Sequence, residues 1–588
     1  MALFIGTGAA DRISPLGPNT GFTLESPGNL SDLVTDVILG LGGNDVITAG
    51  GSHDHIFAGA DNDTVFRSAG ADFMDGGTGI DTLNLSTFTG SYVWDMTTGF
   101  TNQTSGGSIE VALNFEHAIM GSGNDFITGN NGNNDIITNK GNDTVFAGEG
   151  QDKIAGGEGN DRLFGGGADD LINGENGDDH IQGGASNDTM IGGLGIDTFD
   201  NTDFAGAYTW SMVTGATSVV GETAVGFENA IMGEGSDTIT GTSFGNKIST
   251  NGGADVIRTG IGNDIIDAGK GDDAVFENFG FDKSNGGEGV DTFDITFFSS
   301  TYNLDMTTGG TNFVGETAIN FENVIGGAGN NTILGTSAAN KILGNGGIDT
   351  IQGGKGADSI SGGADNDFIN GGLDADELNG GTGIDTMDAT DNTSSYIWNM
   401  ATGVTNIAGE TAKEFENAIT GAGADTVIGN ASDNSIQLGA NNDRATGGIG
   451  NDKLFGDAGS DTLLGDIGND RLAGGANNDT LAGGTGFDQF VFDTTPNTFF
   501  NSDRITDFVS VFDTILLDDA VFGAIGNTVT ADEFRIGTAA LDSTDRIIYN
   551  ANIGSLSYDA DGNGAGLQVA FANVGALTAV NFTDFSII

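Results

Sequence analysis

Gly156-Gly157-Glu158-Gly159-Asn160-Asp161-Arg162-Leu163 places glycines before an aspartate and an apolar residue two positions after it. The same order stands at Gly192-Gly193-Leu194-Gly195-Ile196-Asp197-Thr198-Phe199 and at Gly447-Gly448-Ile449-Gly450-Asn451-Asp452-Lys453-Leu454. Followed in steps of nine, the Asp position fills five registers, 36–81, 125–197, 237–291, 331–385 and 425–488, with thirty-seven units of which thirty-two carry Asp. A fixed short period of this kind is the signature of a solenoid. Glycine reaches positive φ without penalty and lets the chain turn tightly with its carbonyl oxygens directed inward. The x-apolar-x tripeptide after the turn makes a short strand whose middle side chain faces the interior. Ile47, Ile56 and Val65 are expected to form that inner ladder in the first register, and Ile154, Leu163, Ile172 and Ile181 in the second.

Composition agrees with a scaffold of turns. The 588 residues include 103 glycines and 4 prolines, against about 7% and about 5% in ordinary proteins. Between Pro27 and Pro496 every residue keeps its backbone N–H, as continuous strand ladders require. The formal charge is -65, from 83 acidic against 18 basic residues. Such self-repulsion opposes a compact state unless cations are bound, and it excludes nucleic acid and anionic membrane surfaces as partners. The 37% hydrophobic content, placed at regular positions, argues against an acidic disordered chain. With no cysteine, disulfides and thiolate metal sites cannot brace the loops. Aspartate is a short hard-oxygen ligand, and calcium takes about 6–8 oxygens, so the repeated Asp and inward carbonyls suit that ion.

The unit GGxGxDx-apolar-x resembles the RTX, or haemolysin-type, calcium-binding repeat. The resemblance implies an all-β fold of parallel β-roll blocks, two nonapeptides to a coil, with each calcium ion between turns eighteen residues apart. It thereby pairs Asp45 with Asp63, Asp54 with Asp72, Asp152 with Asp170, Asp161 with Asp179, Asp452 with Asp470, Asp461 with Asp479, and Asp470 with Asp488. The implied ligands are Asp45, Asp54, Asp63, Asp72 and Asp81; Asp143, Asp152, Asp161, Asp170, Asp179, Asp188 and Asp197; Asp255, Asp264, Asp273 and Asp291; Asp349, Asp358, Asp367, Asp376 and Asp385; and Asp443, Asp452, Asp461, Asp470, Asp479 and Asp488. Asn134, Asn246, Asn331, Asn340 and Asn434 replace Asp near the start of four registers, where weak or no binding is expected. Up to about two dozen ions, each with two charges, would offset much of the acidic excess and link folding to calcium.

The sequence divides into repeat blocks at 30–88, 121–200, 233–294, 327–388 and 421–488, linkers at 89–120, 201–232, 295–326 and 389–420, an N-terminal segment 1–29 and a C-terminal region 489–588. The linkers repeat one another. Their cores are Tyr92-Val93-Trp94-Asp95-Met96, Tyr208-Thr209-Trp210-Ser211-Met212, Tyr302-Asn303-Leu304-Asp305-Met306 and Tyr396-Ile397-Trp398-Asn399-Met400. Phe227-Glu228-Asn229, Phe321-Glu322-Asn323 and Phe415-Glu416-Asn417 follow, with Phe115-Glu116-His117 as the divergent copy. Two readings are open: aromatic platforms for sugars, or one buried face of a strand in wider calcium-free coils. The alternation of Tyr, Trp or Leu, and Met favours the second.

From Gln489 larger apolar strands replace the nonapeptides, as a solenoid end requires if its edge is to be covered. Asp503-Arg504-Ile505-Thr506-Asp507-Phe508, Asp545-Arg546-Ile547-Ile548-Tyr549-Asn550 and Asp584-Phe585-Ser586-Ile587-Ile588 resemble the capping and secretion domain of serralysin-type proteases. That resemblance implies export by a type I secretion machinery of a Gram-negative bacterium through a C-terminal signal. The opening MALFIGTGAADRISPLGPNT has no basic n-region before an apolar run, so an N-terminal signal is not expected, and no apolar stretch is long enough for a membrane span.

His53, His55, His117 and His180 never form HExxH, and Gly241-Thr242-Ser243-Phe244-Gly245 matches GxSxG with no histidine after it, so neither pattern supplies a catalytic set. Asp559-Ala560-Asp561-Gly562-Asn563-Gly564 opens like an EF-hand loop but reaches Ala570 where a bidentate Glu belongs. The expected function is therefore a secreted calcium-binding protein without enzymatic activity, structural or at the cell surface as an S-layer, matrix or adhesin-like scaffold. Self-association or cell-surface polysaccharide is its expected partner. An extracellular carbohydrate-active enzyme or polysaccharide-binding module is the alternative.

Overall fold

The computed structural model describes residues 35–48, 51, 53–67, 69–104 and 110–588, together with the backbone of strands Leu3–Ile5, Arg12–Pro15, Phe22–Leu24 and Asn29–Leu30. Among these residues the only helical element is one 3-10 turn, Phe582–Asp584, and every other regular element is a β-strand. The chain divides into two compact units, one of residues 1–291 with 315–317 and the other of 292–314 with 318–588.

In the first unit the nonapeptides wind as expected of their period. Val145 pairs in parallel with Leu163, Leu163 with Ile181 and Ile181 with Phe199, while Ile136, Ile154, Ile172 and Met190 make the matching ladder of a second sheet. Alternate nonapeptides thus supply opposite sheets, and these inward side chains are at most 2% exposed. The turns need glycine for a steric reason. Gly157 and Gly159 have φ of +104° and +134°, and a side chain on either would strike the backbone one coil earlier, at Asn139 and Gly141. At the start, Leu3–Ile5 pairs with Val37–Leu39, Arg12–Ile13 pairs with Val46–Ile47, and Arg12–Pro15 runs antiparallel to Phe22–Leu24. The side chains of 1–29 lie outside the described residues.

The first two linkers stay in the ladder as wider coils. Trp94 pairs in parallel with Ile127, Phe199 with Ala230 and Trp210 with Ile239. The extra length of the first is spent on a hairpin in which Tyr92–Asp95 runs antiparallel to Phe100–Gln103. The tryptophans fill the interior rather than the surface: Trp94, Trp210 and, in the second unit, Trp398 are at most 1% exposed. Trp210 Nε1 donates to the Ala224 carbonyl at 3.1 Å, and Phe115 and Phe227 pack edge-on against Trp94 and Trp210. These rings are core, and the sugar-platform reading of them is set aside.

The second unit repeats the plan. Ile333, Ile351, Ile369 and Met387 form one inner ladder and Ile342, Ile360 and Leu378 the other. Trp398 pairs with Val427, and its Nε1 donates to the Ala412 carbonyl at 3.1 Å. Past the last nonapeptide, Phe490 pairs with Ile515 and Leu516 with Ser586, so the final residues return to extend the sheet. Ile547–Asn550, Ser555–Tyr558 and Val569–Asn573 form an antiparallel meander beside them.

Candidate metal sites

Each Asp of the repeat sits at the end of a glycine turn, where its main chain enters the strand. Its side chain is drawn inward: all the implied ligands are at most 4% exposed. The structure joins them in columns with an eighteen-residue step. Asp143 N–H donates to Asp161 Oδ1 at 2.8 Å, Asp161 N–H to Asp179 Oδ1 at 2.7 Å and Asp179 N–H to Asp197 Oδ1 at 2.8 Å. On the other edge Asp152 N–H reaches Asp170 at 2.8 Å and Asp170 N–H reaches Asp188 at 2.9 Å. The first block places Asp45 on Asp63, Asp54 on Asp72 and Asp63 on Asp81 at 2.7–2.9 Å. The third joins Asp255 to Asp273, Asp264 to Asp282 and Asp273 to Asp291 at 2.7–2.8 Å. The fourth joins Asp349 to Asp367, Asp358 to Asp376 and Asp367 to Asp385 at 2.8–2.9 Å. In the fifth, Asp443 meets Asp461, Asp452 meets Asp470, Asp461 meets Asp479 and Asp470 meets Asp488 at 2.8–2.9 Å.

At several of these positions one carboxylate oxygen is thereby satisfied and the other is not. Oδ2 of Asp143, Asp161, Asp170, Asp179, Asp367, Asp461 and Asp470 is buried without a protein hydrogen-bond partner. A buried carboxylate oxygen left so is costly unless a cation or proton meets it. Burial, reinforced by stacked carboxylates, pushes Asp161 and Asp470 up to about 7 and Asp143 to about 8. The space in front of these oxygens is bounded by glycine. A methyl group on Gly456 would stand 2.5 Å from both Asp461 Oδ2 and the Gly474 carbonyl oxygen of the next coil. Carboxylate and carbonyl oxygens converging from two coils, with neither nitrogen nor sulfur, form a donor set that fits calcium.

Asparagine at the block openings behaves differently. Asn134 Oδ1 accepts the Asn130 N–H at 2.9 Å, and its Nδ2 donates to the Glu116 carbonyl at 3.0 Å. Asn246 and Asn434 repeat this with the Glu228 and Glu416 carbonyls at 2.7 and 2.9 Å. An amide uses its donor where a carboxylate has none, so these positions close on themselves. The unit around Glu277 is irregular: Glu277 is 4% exposed and bonded to Ser284, which holds the inner slot, and burial beside Asp282 pushes its carboxyl well above the ordinary range.

Sequence reasoning missed several polar residues. The nine-residue phase alone could not find Glu116, Glu228 and Glu416, which accept the N–H of Asp81, Asp197 and Asp385 at 2.9, 2.9 and 3.0 Å. Nor did it find Asp503 and Asp513, which accept from Asp479 and Asp488 at 3.1 and 3.2 Å beyond the last nonapeptide. Buried Arg67, paired with Glu110 and lying 4.1 Å over the Phe88 ring, and the pairs Tyr208–Glu222 and Tyr396–Glu410 brace the linkers. A repeated tripeptide of the linkers, Gly221-Glu222-Thr223, Gly315-Glu316-Thr317 and Gly409-Glu410-Thr411, was the available signal for the tyrosine pairs.

The chain matches the family model of the RTX calcium-binding nonapeptide repeat at 34–65, 68–84, across 121–199, across 233–283, across 321–387 and across 419–490, more than half its length. No curated protein matches it. The columns of buried aspartates, the glycine turns and the matched repeats together place this chain in the RTX calcium-binding nonapeptide repeat family, whose repeats bind multiple calcium ions.

Proposed function

We propose that the protein is a secreted calcium-binding scaffold, structural or at the cell surface, whose fold is completed by calcium after export. The observation that carries this reading is the column of carboxylates whose Oδ2 atoms are buried without a protein donor, as at Asp161 and Asp470. The ions would be held by the twenty-seven aspartates named above, from Asp45 to Asp488, with carbonyl oxygens of the glycine turns. Calcium would supply positive charge between coils; the chain supplies hard oxygens, keeps water from the inner face and sets the eighteen-residue step.

The block and linker boundaries are the modules of this scaffold, with 489–588 as the C-terminal cap and type I signal of a Gram-negative exporter. In a cytosol poor in calcium, self-repulsion would keep the chain extended enough for export; outside, calcium near 1 mM matches sites with affinities of about 10⁻⁴–10⁻³ M. Burial of Trp94, Trp210 and Trp398 supports packing rather than sugar stacking in the linkers and favours the scaffold over a carbohydrate-active protein. Electron microscopy of producing cells, with and without chelator, tests the role. An ordered surface layer labelled by antibody and lost on chelation is expected; label confined to the medium in both conditions contradicts a surface scaffold. Export after deletion of 530–588 would contradict the C-terminal signal.

A further inference from the structure

The repeat columns do not stop where the nonapeptides stop. At the end of the first block Asp81 N–H donates to Glu116 Oε2, at the end of the second Asp197 N–H donates to Glu228 Oε2, and at the end of the fourth Asp385 N–H donates to Glu416 Oε2. Within a block that place belongs to the Oδ1 of the Asp one coil on, as Asp179 Oδ1 does for Asp161. The glutamate carboxylate therefore takes the place of the missing aspartate, thirty-five residues on in the first linker and thirty-one in the other two.

The carbonyl half of the turn is reproduced as well. A methyl on Gly456 meets Asp461 Oδ2 and the Gly474 carbonyl. A methyl on Gly76, Gly192 or Gly380 would meet the Oδ2 of Asp81, Asp197 or Asp385 at 2.9, 2.8 and 2.9 Å, and would strike the carbonyl oxygens of Asn114, Gly226 and Glu414. These three residues stand two before the glutamates and are held at φ of +56°, +72° and +57°. For Asn114 and Glu414 that is a left-handed conformation disfavoured by a side chain, and in each copy the carbonyl oxygen faces the same glycine that borders the aspartate Oδ2. Oδ2 of Asp81, Asp197 and Asp385 is fully buried, without a protein hydrogen-bond partner, and aimed at this space.

We propose that each of these three junctions is a calcium site closed by the linker: Asp81 with Glu116 and the Asn114 carbonyl, Asp197 with Glu228 and the Gly226 carbonyl, and Asp385 with Glu416 and the Glu414 carbonyl. The inference rests on the calcium-binding reading of the columns and adds ligands from outside the nonapeptides. One coil further on the column ends, because Asn134, Asn246 and Asn434 turn an amide donor onto the glutamate's own carbonyl. The linker thus carries the ionic column one step past the block and then terminates it, so that the wide coil is pinned at its mouth.

The test counts calcium by atomic emission on the full chain after gel filtration at fixed free calcium. It compares the wild type with E116Q/E228Q/E416Q and with D161N/D461N. Glutamine keeps an acceptor for the aspartate N–H and removes the charge, and circular dichroism in calcium reports whether the roll is retained. The junction variant is expected to bind three fewer ions with its strand spectrum intact. Should the triple variant lose that spectrum, the single variants are each expected to bind one ion fewer. Loss of ions in D161N/D461N alone, with wild-type counts in the glutamine variants, overturns the junction sites and leaves the columns standing. Unchanged counts in all variants overturn both.

Discussion

At the scale of a residue, the chemistry turns on one carboxylate oxygen and one glycine. The inward Asp satisfies Oδ1 with a backbone N–H and leaves Oδ2 facing a space that glycine keeps open, so Gly456→Ala is expected to act like a ligand mutation although it removes no oxygen. Its calcium midpoint, read by circular dichroism, is predicted to rise severalfold, and an unchanged midpoint would show that the space is not used. The block-opening asparagines make the opposite case. Asn434→Asp replaces a donor to the Glu416 carbonyl by a second acceptor, and the loss is expected to be about 1–3 kcal/mol, measured as a lower thermal midpoint at limiting calcium. The carboxyls also set a pH dependence in decalcified protein. Asp161 and Asp470, pushed to about 7, and Asp143, to about 8, bind protons more tightly folded than unfolded, where the ordinary value is 3.8. Their contribution to stability is fully present below 3.8 and is lost as the pH rises through 7 to 8. Decalcified protein should therefore hold more strand structure near pH 4 than at pH 8, and a strand signal that rose with pH would contradict the assignment.

At the scale of an element, the nonapeptide strands were legible because their signal is local: each opens on an x-apolar-x triplet with one inward side chain, as Val145, Leu163 and Ile181 announce, although these strands run on to six residues, Thr144–Glu149, Arg162–Gly167 and His180–Ala185. The linkers were half legible. Alternation of Tyr, Trp and Met marked a buried face, but the partner of each strand lies about thirty residues away, as Trp210 with Ile239, and no short period encodes that pairing. For the same reason Glu228 was visible as a repeated residue while its bond to Asp197 was not. Asp503 and Asp513 were hidden by the change of step to twenty-four and twenty-five residues. The core role of the linker aromatics is checked by Trp398→Ala, which removes a fully buried ring and its bond to the Ala412 carbonyl. It is expected to destabilise the second unit by about 3–5 kcal/mol, read in denaturant at saturating calcium. A ring outside the core would leave the midpoint where it was.

At the scale of the whole molecule, the balance is between 83 acidic residues and 18 basic ones on a chain whose inner columns are themselves carboxylate. The apolar ladders of the nonapeptide coils are thin, one large inward side chain per strand as at Val145 and Leu163, and the acidic loops on both edges repel along the stack. In the proposed function divalent ions between coils turn that repulsion into attachment, which would make folding and calcium binding one equilibrium. The most direct test is a calcium titration of decalcified full-length protein at neutral pH, following far-ultraviolet circular dichroism and bound calcium on the same samples. The strand signal is predicted to be largely missing in chelator and to appear cooperatively as about two dozen ions bind. A strand spectrum already complete in chelator, and unmoved as calcium is added, would contradict the account.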